Sequence, residues 1–328
     1  MEKRGSPVML EKLKSLAGTN GLLTYAEFVQ TALYDPDLGY YSRLQQRVGK
    51  TPNADFYTST SMGSLFGRLV AESAKTLLQG QDPGKFTFIE IGAEPGSSVL
   101  DGVIHPFKKA QTLRLEDPTR VNGKVIVFAN EWLDAQPFNR LVFEDGKWRE
   151  IGVYITGGQL SEVRLESISG EILPFLDELP DAQPNGYHVD IPSGASQKLK
   201  ELVAQEWEGL FLTLDYGKSK AELLESTPQG TARAYRNHKQ SSELLANPGD
   251  QDLTCHVCWD WLEAILTGNR FQDVGTLRQE SLFMRYAEGS IKEVLEDQED
   301  TREKGRLMEL LHPAHLGLKF QALRGFRK

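Results

Sequence analysis

Three nearly continuous apolar runs constrain this chain more than any other feature: FTFIEI at residues 86–91, VIVFA at 125–129 and LFLTL at 210–214. Each is short and rich in branched or aromatic side chains, which is how strands buried on both faces of a parallel sheet read. Each also stops at a polar or glycine-bearing exit. Gly92-Ala93-Glu94-Pro95-Gly96 follows the first, Asn130-Glu131 the second and Asp215-Tyr216-Gly217 the third. In an open doubly wound α/β sheet the crevice outside the carboxyl ends of the strands is where ligands bind. Polar groups at three such exits form the pattern of a site, although any one acid there also serves as a cap for a following helix.

The remaining segments fit around that core. In TYAEFVQTALY (24–34) the apolar residues recur at helical spacing, and Thr24 with Glu27 forms a capping box at the start. A second helix is expected over 61–79, with Leu65, Phe66, Leu69 and Val70 on one face. The glycine loop predicts a helix from about Ser97 to Lys109, followed by a short strand near Leu113–Glu116. LVFEDGKWREIGVYI alternates about an Asp145-Gly146 turn and reads as an antiparallel meander inserted into the α/β core. Further helices are expected at 193–207, 259–268 and 290–311, and a last strand at 316–323. This divides the chain into an N-terminal helical or lid segment, 1–85, and an α/β domain, 86–328, with insertions at about 140–192 and 218–254.

Composition narrows the function. The chain has 328 residues, 25% of them charged, and a net charge of -9 with no block of lysine and arginine, so a reader of nucleic-acid backbones is not expected. Cys255 and Cys258 are the two cysteines, too few for a disulfide framework, and their spacing to His256, His312 and His315 matches no zinc pattern, so no metal is expected. No apolar stretch approaches the length of a membrane span. The first residues, MEKRGSPVMLEKLKSLAG, are too polar for a secretory h-region and carry Glu2 and Glu11, which leads to a cytoplasmic expectation.

The motifs together resemble the MidA-type S-adenosylmethionine-dependent methyltransferases, relatives of the mitochondrial complex I assembly methyltransferase. The resemblance runs through YAEFVQTALYDPDLGYY, ADFYTST with Phe66-Gly67, IEIGAEPG, ANEWLDAQP, Trp148–Glu150, LDYG, GTARAYRNH, PGDQDLTCHV and LHPAHLGLKFQAL, in one order along most of the chain. It implies a class I methyltransferase fold, Rossmann-like, with a mostly parallel seven-stranded sheet, helices on both faces and an N-terminal helical extension. It implies S-adenosylmethionine as cofactor and arginine of a protein partner as substrate; a homodimer is left open. The family's cofactor loop maps onto Glu90, Gly92, Glu94 and Gly96, its acidic motif onto Asn130, Glu131 and Asp134, and its third motif onto Asp215 to Gly217.

A guanidinium is always protonated near neutral pH, so a carboxylate must bind it and bias charge away from the attacking nitrogen. Glu131 is the first candidate for that work, with Asp215 and His238 as further catalytic candidates; Asn130 could hydrogen-bond cofactor or substrate. Glu116 or Asp117 stands where a ribose-binding acid is expected. Asp55 and Thr58 are expected at the polar end of the cofactor, and Tyr40, Tyr41, Phe56 and Tyr57 as its roof or as packing for the N-terminal segment. Two departures from the family pattern weaken the expected grip on the cofactor. Glu94 and Pro95 stand where glycine is usual, adding bulk and charge and removing a backbone donor. QTLRLEDPTRVNGK leaves no room for the usual helix and third strand. The alternative function is therefore a catalytically inactive, methyltransferase-like protein-binding or assembly factor.

Overall fold

The computed structural model describes residues 7–42, 63–93, 95–114, 117–237 and 239–328, so the expectations placed on Asp55, Thr58, Glu94, Glu116 and His238 lie outside the described residues. The chain divides into two compact units. One comprises 1–45, 133–198 and 218–258; the other comprises 46–132, 199–217 and 259–328. The N-terminal helices and both insertions thus group together, whereas the Ser64–Leu77 helix groups with the apolar strands.

In the second unit the three apolar runs are the strands Thr87–Ile91, Gly123–Asn130 and Trp207–Asp215. They lie in a six-stranded sheet ordered Gln272–Arg278, Gln321–Arg327, Trp207–Asp215, Gly123–Asn130, Thr87–Ile91, Lys109–Leu113. The last four pair in parallel, and Gln321–Arg327 runs antiparallel to both of its neighbours. The seventh strand implied by the resemblance has no counterpart among the described residues. The reason is chain length: the stretch from Leu113 to Gly123 cannot hold a crossover helix and another parallel strand. Phe86, Phe88, Ile126, Phe128, Leu210, Leu212 and Leu214 bury one sheet face in a core shared with Leu65, Phe66, Leu69 and Val70 of Ser64–Leu77, the face expected of that helix.

The helix expected from Ser97 to Lys109 does not form. Turns occupy 95–102, extended chain follows, and the second parallel strand begins already at Lys109. Gly96 and Gly102 sit at φ 77° and 70°, conformations outside the right-handed helix, and Pro106 cannot donate to a helical ladder. Val99 and Leu100 anchor the segment in the core instead. Its close approach to the Ser64–Leu77 helix explains Gly67: a Cβ there would lie 2.0 Å from the Val99 carbonyl oxygen. Gly67→Ala must push two backbones apart and is expected to lose about 1–3 kcal/mol, read as a lower urea midpoint at unchanged m-value. A midpoint equal to that of the wild type would show that the two segments separate freely.

The first unit is built on a different sheet. Leu22–Thr24, Lys147–Thr156, Asn139–Glu144 and Tyr187–Ile191 are neighbours in that order, and Gln159–Arg164 also pairs with Lys147–Thr156. Every pairing is antiparallel, so "mostly parallel" does not describe the whole molecule; strands joined by tight hairpins are antiparallel by geometry. The expected meander is present. Asp145 and Gly146 both have positive φ, 51° and 76°, as the two-residue turn requires. The Thr24–Glu27 capping box forms, and Tyr25, Phe28, Val29, Ala32 and Leu33 face the core. Tyr40 and Tyr41 belong to this core: Tyr41 stacks on Tyr34 and its hydroxyl donates to Asp252 at 2.8 Å. They therefore pack the N-terminal segment. The last strand lies at Gln321–Arg327, later than expected, after a turn-rich stretch that ends at Phe320.

Candidate active site

Register brings the motif residues of the second unit to one sheet edge. Ile91 is opposite Leu113 and Ala129, and Asn130 is opposite Leu214. Gly92, Asn130-Glu131 and Asp215 therefore leave adjacent strands at the same level, about 5 Å from one to the next by ordinary strand spacing. The sequence expected a site there, and the register brings these residues together at the carboxyl ends of the parallel strands.

Glu90 lies one step inside that edge and is buried. Its Oε2 accepts from the Ser98 hydroxyl at 2.7 Å and from the Val99 N–H at 2.8 Å, so it ties the glycine loop back onto its own strand. Burial raises its pKa, opposed by those two hydrogen bonds. Gly92 and Gly96 both have positive φ, 80° and 77°, which glycine adopts at little cost. Among the described residues nothing lies within 4 Å of the Cβ position of Gly96, which leaves that glycine accessible to close approach. At Gly92 the same position is 3.1 Å from the Trp132 ring. Trp132 packs beside the candidate site, a placement not legible in the sequence; its signal is its position immediately after the acid at a strand exit.

Asn130 donates from Nδ2 to Glu131 Oε1 at 2.8 Å. Glu131 has φ 52°, a left-handed backbone uncommon for a residue with a Cβ. Two hydrogen bonds hold it there: the Glu131 N–H donates to the Leu214 carbonyl at 2.9 Å, and the Trp132 N–H donates to Asp215 Oδ2 at 3.2 Å. Asp215 is buried and its Oδ1 accepts from the Tyr216 N–H at 2.8 Å. The structure thus places Asp215 as the brace of the turn that carries Glu131. Gly217, which completes that motif, leaves space for the Trp259 indole: a Cβ would be 2.3 Å from it. Asp117 Oδ2 accepts from the Arg114 N–H, closing the turn after the second parallel strand.

These residues fit an S-adenosylmethionine site in two respects. Two positive-φ glycines form a loop that can approach a ligand, and a carboxylate stands at the neighbouring strand exit. Among the described residues no group of histidine, cysteine, aspartate and glutamate is arranged to hold a metal, and no helix is long and apolar enough to cross a membrane.

Residues 107–275, just over half of the chain, match a family model whose description reads "Putative S-adenosyl-L-methionine-dependent methyltransferase". The chain belongs to this family. The methyltransferase is 24% identical to the protein arginine methyltransferase NDUFAF7, mitochondrial, of Danio rerio, over 95% of this chain and 85% of the relative. It is 23% identical to the NDUFAF7 homolog of Drosophila melanogaster, over 98% and 85%. In structure it is similar to a Burkholderia thailandensis protein described as a "likely methyl transferase" and bound to S-adenosyl-homocysteine. The TM-score is 0.83 at 21% identity, over 100% of this chain and 95% of that one. These relatives overturn the cytoplasmic expectation, because the curated NDUFAF7 proteins are mitochondrial. The physical reason is that a polar, acid-bearing N-terminus and reduced thiols report composition and redox state, not an address.

Proposed function

We propose that this methyltransferase transfers the methyl group to an arginine side chain of a protein partner, with Glu131 gripping the guanidinium. The observation that carries the reading is the Glu131 carboxylate, held in a left-handed turn by Leu214 and Asp215 beside the open glycine loop. The names of the relatives, which match over nearly the whole chain, support the substrate class.

When bound, S-adenosylmethionine supplies a methyl group on a positively charged sulfur. The rest falls to the protein. Gly92 and Gly96 let the loop backbone come close to the cofactor, and Glu90 keeps that loop closed on the strand. Glu131 pairs with the guanidinium and draws positive charge toward one side of it, leaving the attacking nitrogen richer in electrons. As the new N–C bond forms, that nitrogen must lose one proton, and Glu131 accepts it and passes it to solvent. Asp215 acts through the Trp132 N–H, as a positioning residue.

A second reading has its own support. The segment after Gly96 forms no helix, so it offers no helix N-terminus of its own to receive the cofactor's carboxylate. That favours a binding factor without turnover. Calorimetric titration with S-adenosylhomocysteine separates the two. The enzyme reading expects a Kd of about tens of micromolar or tighter; no heat at millimolar ligand would leave the binding factor standing.

A further inference from the structure

We infer that Asn130 is a substrate-recognition residue and not part of the cofactor cradle: its side-chain oxygen is a preformed acceptor for one N–H of the incoming guanidinium. The inference rests on the arginine methyltransferase reading.

The orientation of the amide follows from charge. Nδ2 lies 2.8 Å from Glu131 Oε1. Turning the amide over would set its oxygen against the carboxylate, two acceptors in hydrogen-bond contact. Oδ1 is therefore the unused acceptor of the amide, and it is buried without a hydrogen-bond partner among the described residues. A buried acceptor left unpaired is costly, and native structures hold few of them without a reason. The next residue carries a second cost, the left-handed backbone of Glu131. Adjacent strain and an unused acceptor at a strand exit are compensated by a ligand that brings N–H donors and positive charge together.

A guanidinium has five N–H donors in a planar fork and no acceptor. It can give one N–H to Asn130 Oδ1 and another to Glu131, while Asn130 Nδ2 keeps the carboxylate in place. The cofactor's sulfonium centre carries no N–H; its α-ammonium is the rival donor, and the cofactor measurement below separates the two.

The test compares wild type with Asn130→Ala in two measurements: calorimetric binding of S-adenosylhomocysteine, and transfer of labelled methyl to a synthetic glycine- and arginine-rich peptide. Loss of a hydrogen bond to a charged group predicts a rise in peptide KM of about 10- to 100-fold, with cofactor Kd within about twofold. A merely structural role would lower thermal stability and kcat without this split, and would overturn the inference. So would a tenfold loss of cofactor affinity, which returns Asn130 to the cradle. Should wild type bind no cofactor or methylate nothing, the arginine methyltransferase reading fails and takes this inference with it, an outcome distinct from failure of the variant alone. Asn130→Thr, whose branched side chain suits a strand, is the second variant if alanine does not fold, and its shorter reach predicts the same rise in KM.

Discussion

Replacing Asp190 with alanine is expected to cost the first unit about 3–5 kcal/mol, because it strands a buried arginine. Arg140 Nε donates to Asp190 Oδ1 at 2.8 Å, and Arg140 Nη1 pairs with Glu162 Oε1 at 2.9 Å. The Tyr25 hydroxyl donates to the same Glu162 oxygen at 2.7 Å, and the guanidinium lies over the Tyr25 ring. Asp190 Oδ2 meanwhile accepts the N–H groups of Thr231 and Ala232. A Cβ on Gly230 would come within 2.3 Å of that oxygen, so the glycine lets the chain close on the acid. Part of the GTARAYRNH motif is thus a structural clasp. Asp190→Ala leaves the buried Arg140 Nε and two backbone donors unpaired and only the Glu162 contact to balance the guanidinium, which is why the loss exceeds that of an exposed ion pair, worth roughly 0–1 kcal/mol. The expected readout is a large drop in urea midpoint. Adding Arg140→Met should recover part of it, because the orphaned charge is then gone, whereas the Thr231 and Ala232 donors stay unpaired. A single variant within about 1 kcal/mol of wild type would mean that water or Glu162 alone satisfies Arg140.

The second large effect separates activity from stability at one residue. Glu131→Gly is expected to abolish measurable turnover, a loss of about 10²-fold or more, with S-adenosylhomocysteine affinity within about twofold. Stability should move the other way. A side chain at φ 52° costs roughly 1–2 kcal/mol, relieved by glycine, while glycine adds unfolded-state entropy worth about half of that. The net expectation lies between no change and a gain of about 1 kcal/mol. Glu131→Gln keeps the strain and removes only the charge, so it should lose turnover without the gain. Retained turnover in the glycine variant would remove Glu131 from the chemistry. Lost cofactor affinity would move it into the cofactor site.

Near-neighbour patterns are legible in the sequence. The apolar runs 86–91, 125–129 and 210–214 are strands because nothing but a doubly covered sheet accommodates such runs at that length. Thr24 with Glu27, and Asp145 with Gly146, act through contacts three residues apart or fewer, and both motifs form as read. The helix placed after the glycine loop is the instructive miss. The segment has a plausible start and apolar spacing, but Gly96, Gly102 and Pro106 break it, and Val99 is drawn into the core against Gly67. Trp132 was equally silent, since its contact with Gly92 depends on two strands lying side by side.

The sequence by itself determined that the chain builds a covered sheet with polar exits, and which residues stand at them. Only the tertiary structure decided that the N-terminal segment and the meander share a separate antiparallel sheet, that Asp215 braces a left-handed Glu131, and that Asn130 keeps an unused acceptor. The division has one physical cause. Periodicity and turn chemistry act between residues a few positions apart, whereas Arg140 meets Asp190, and Trp132 meets Asp215, only after the strands have taken their order.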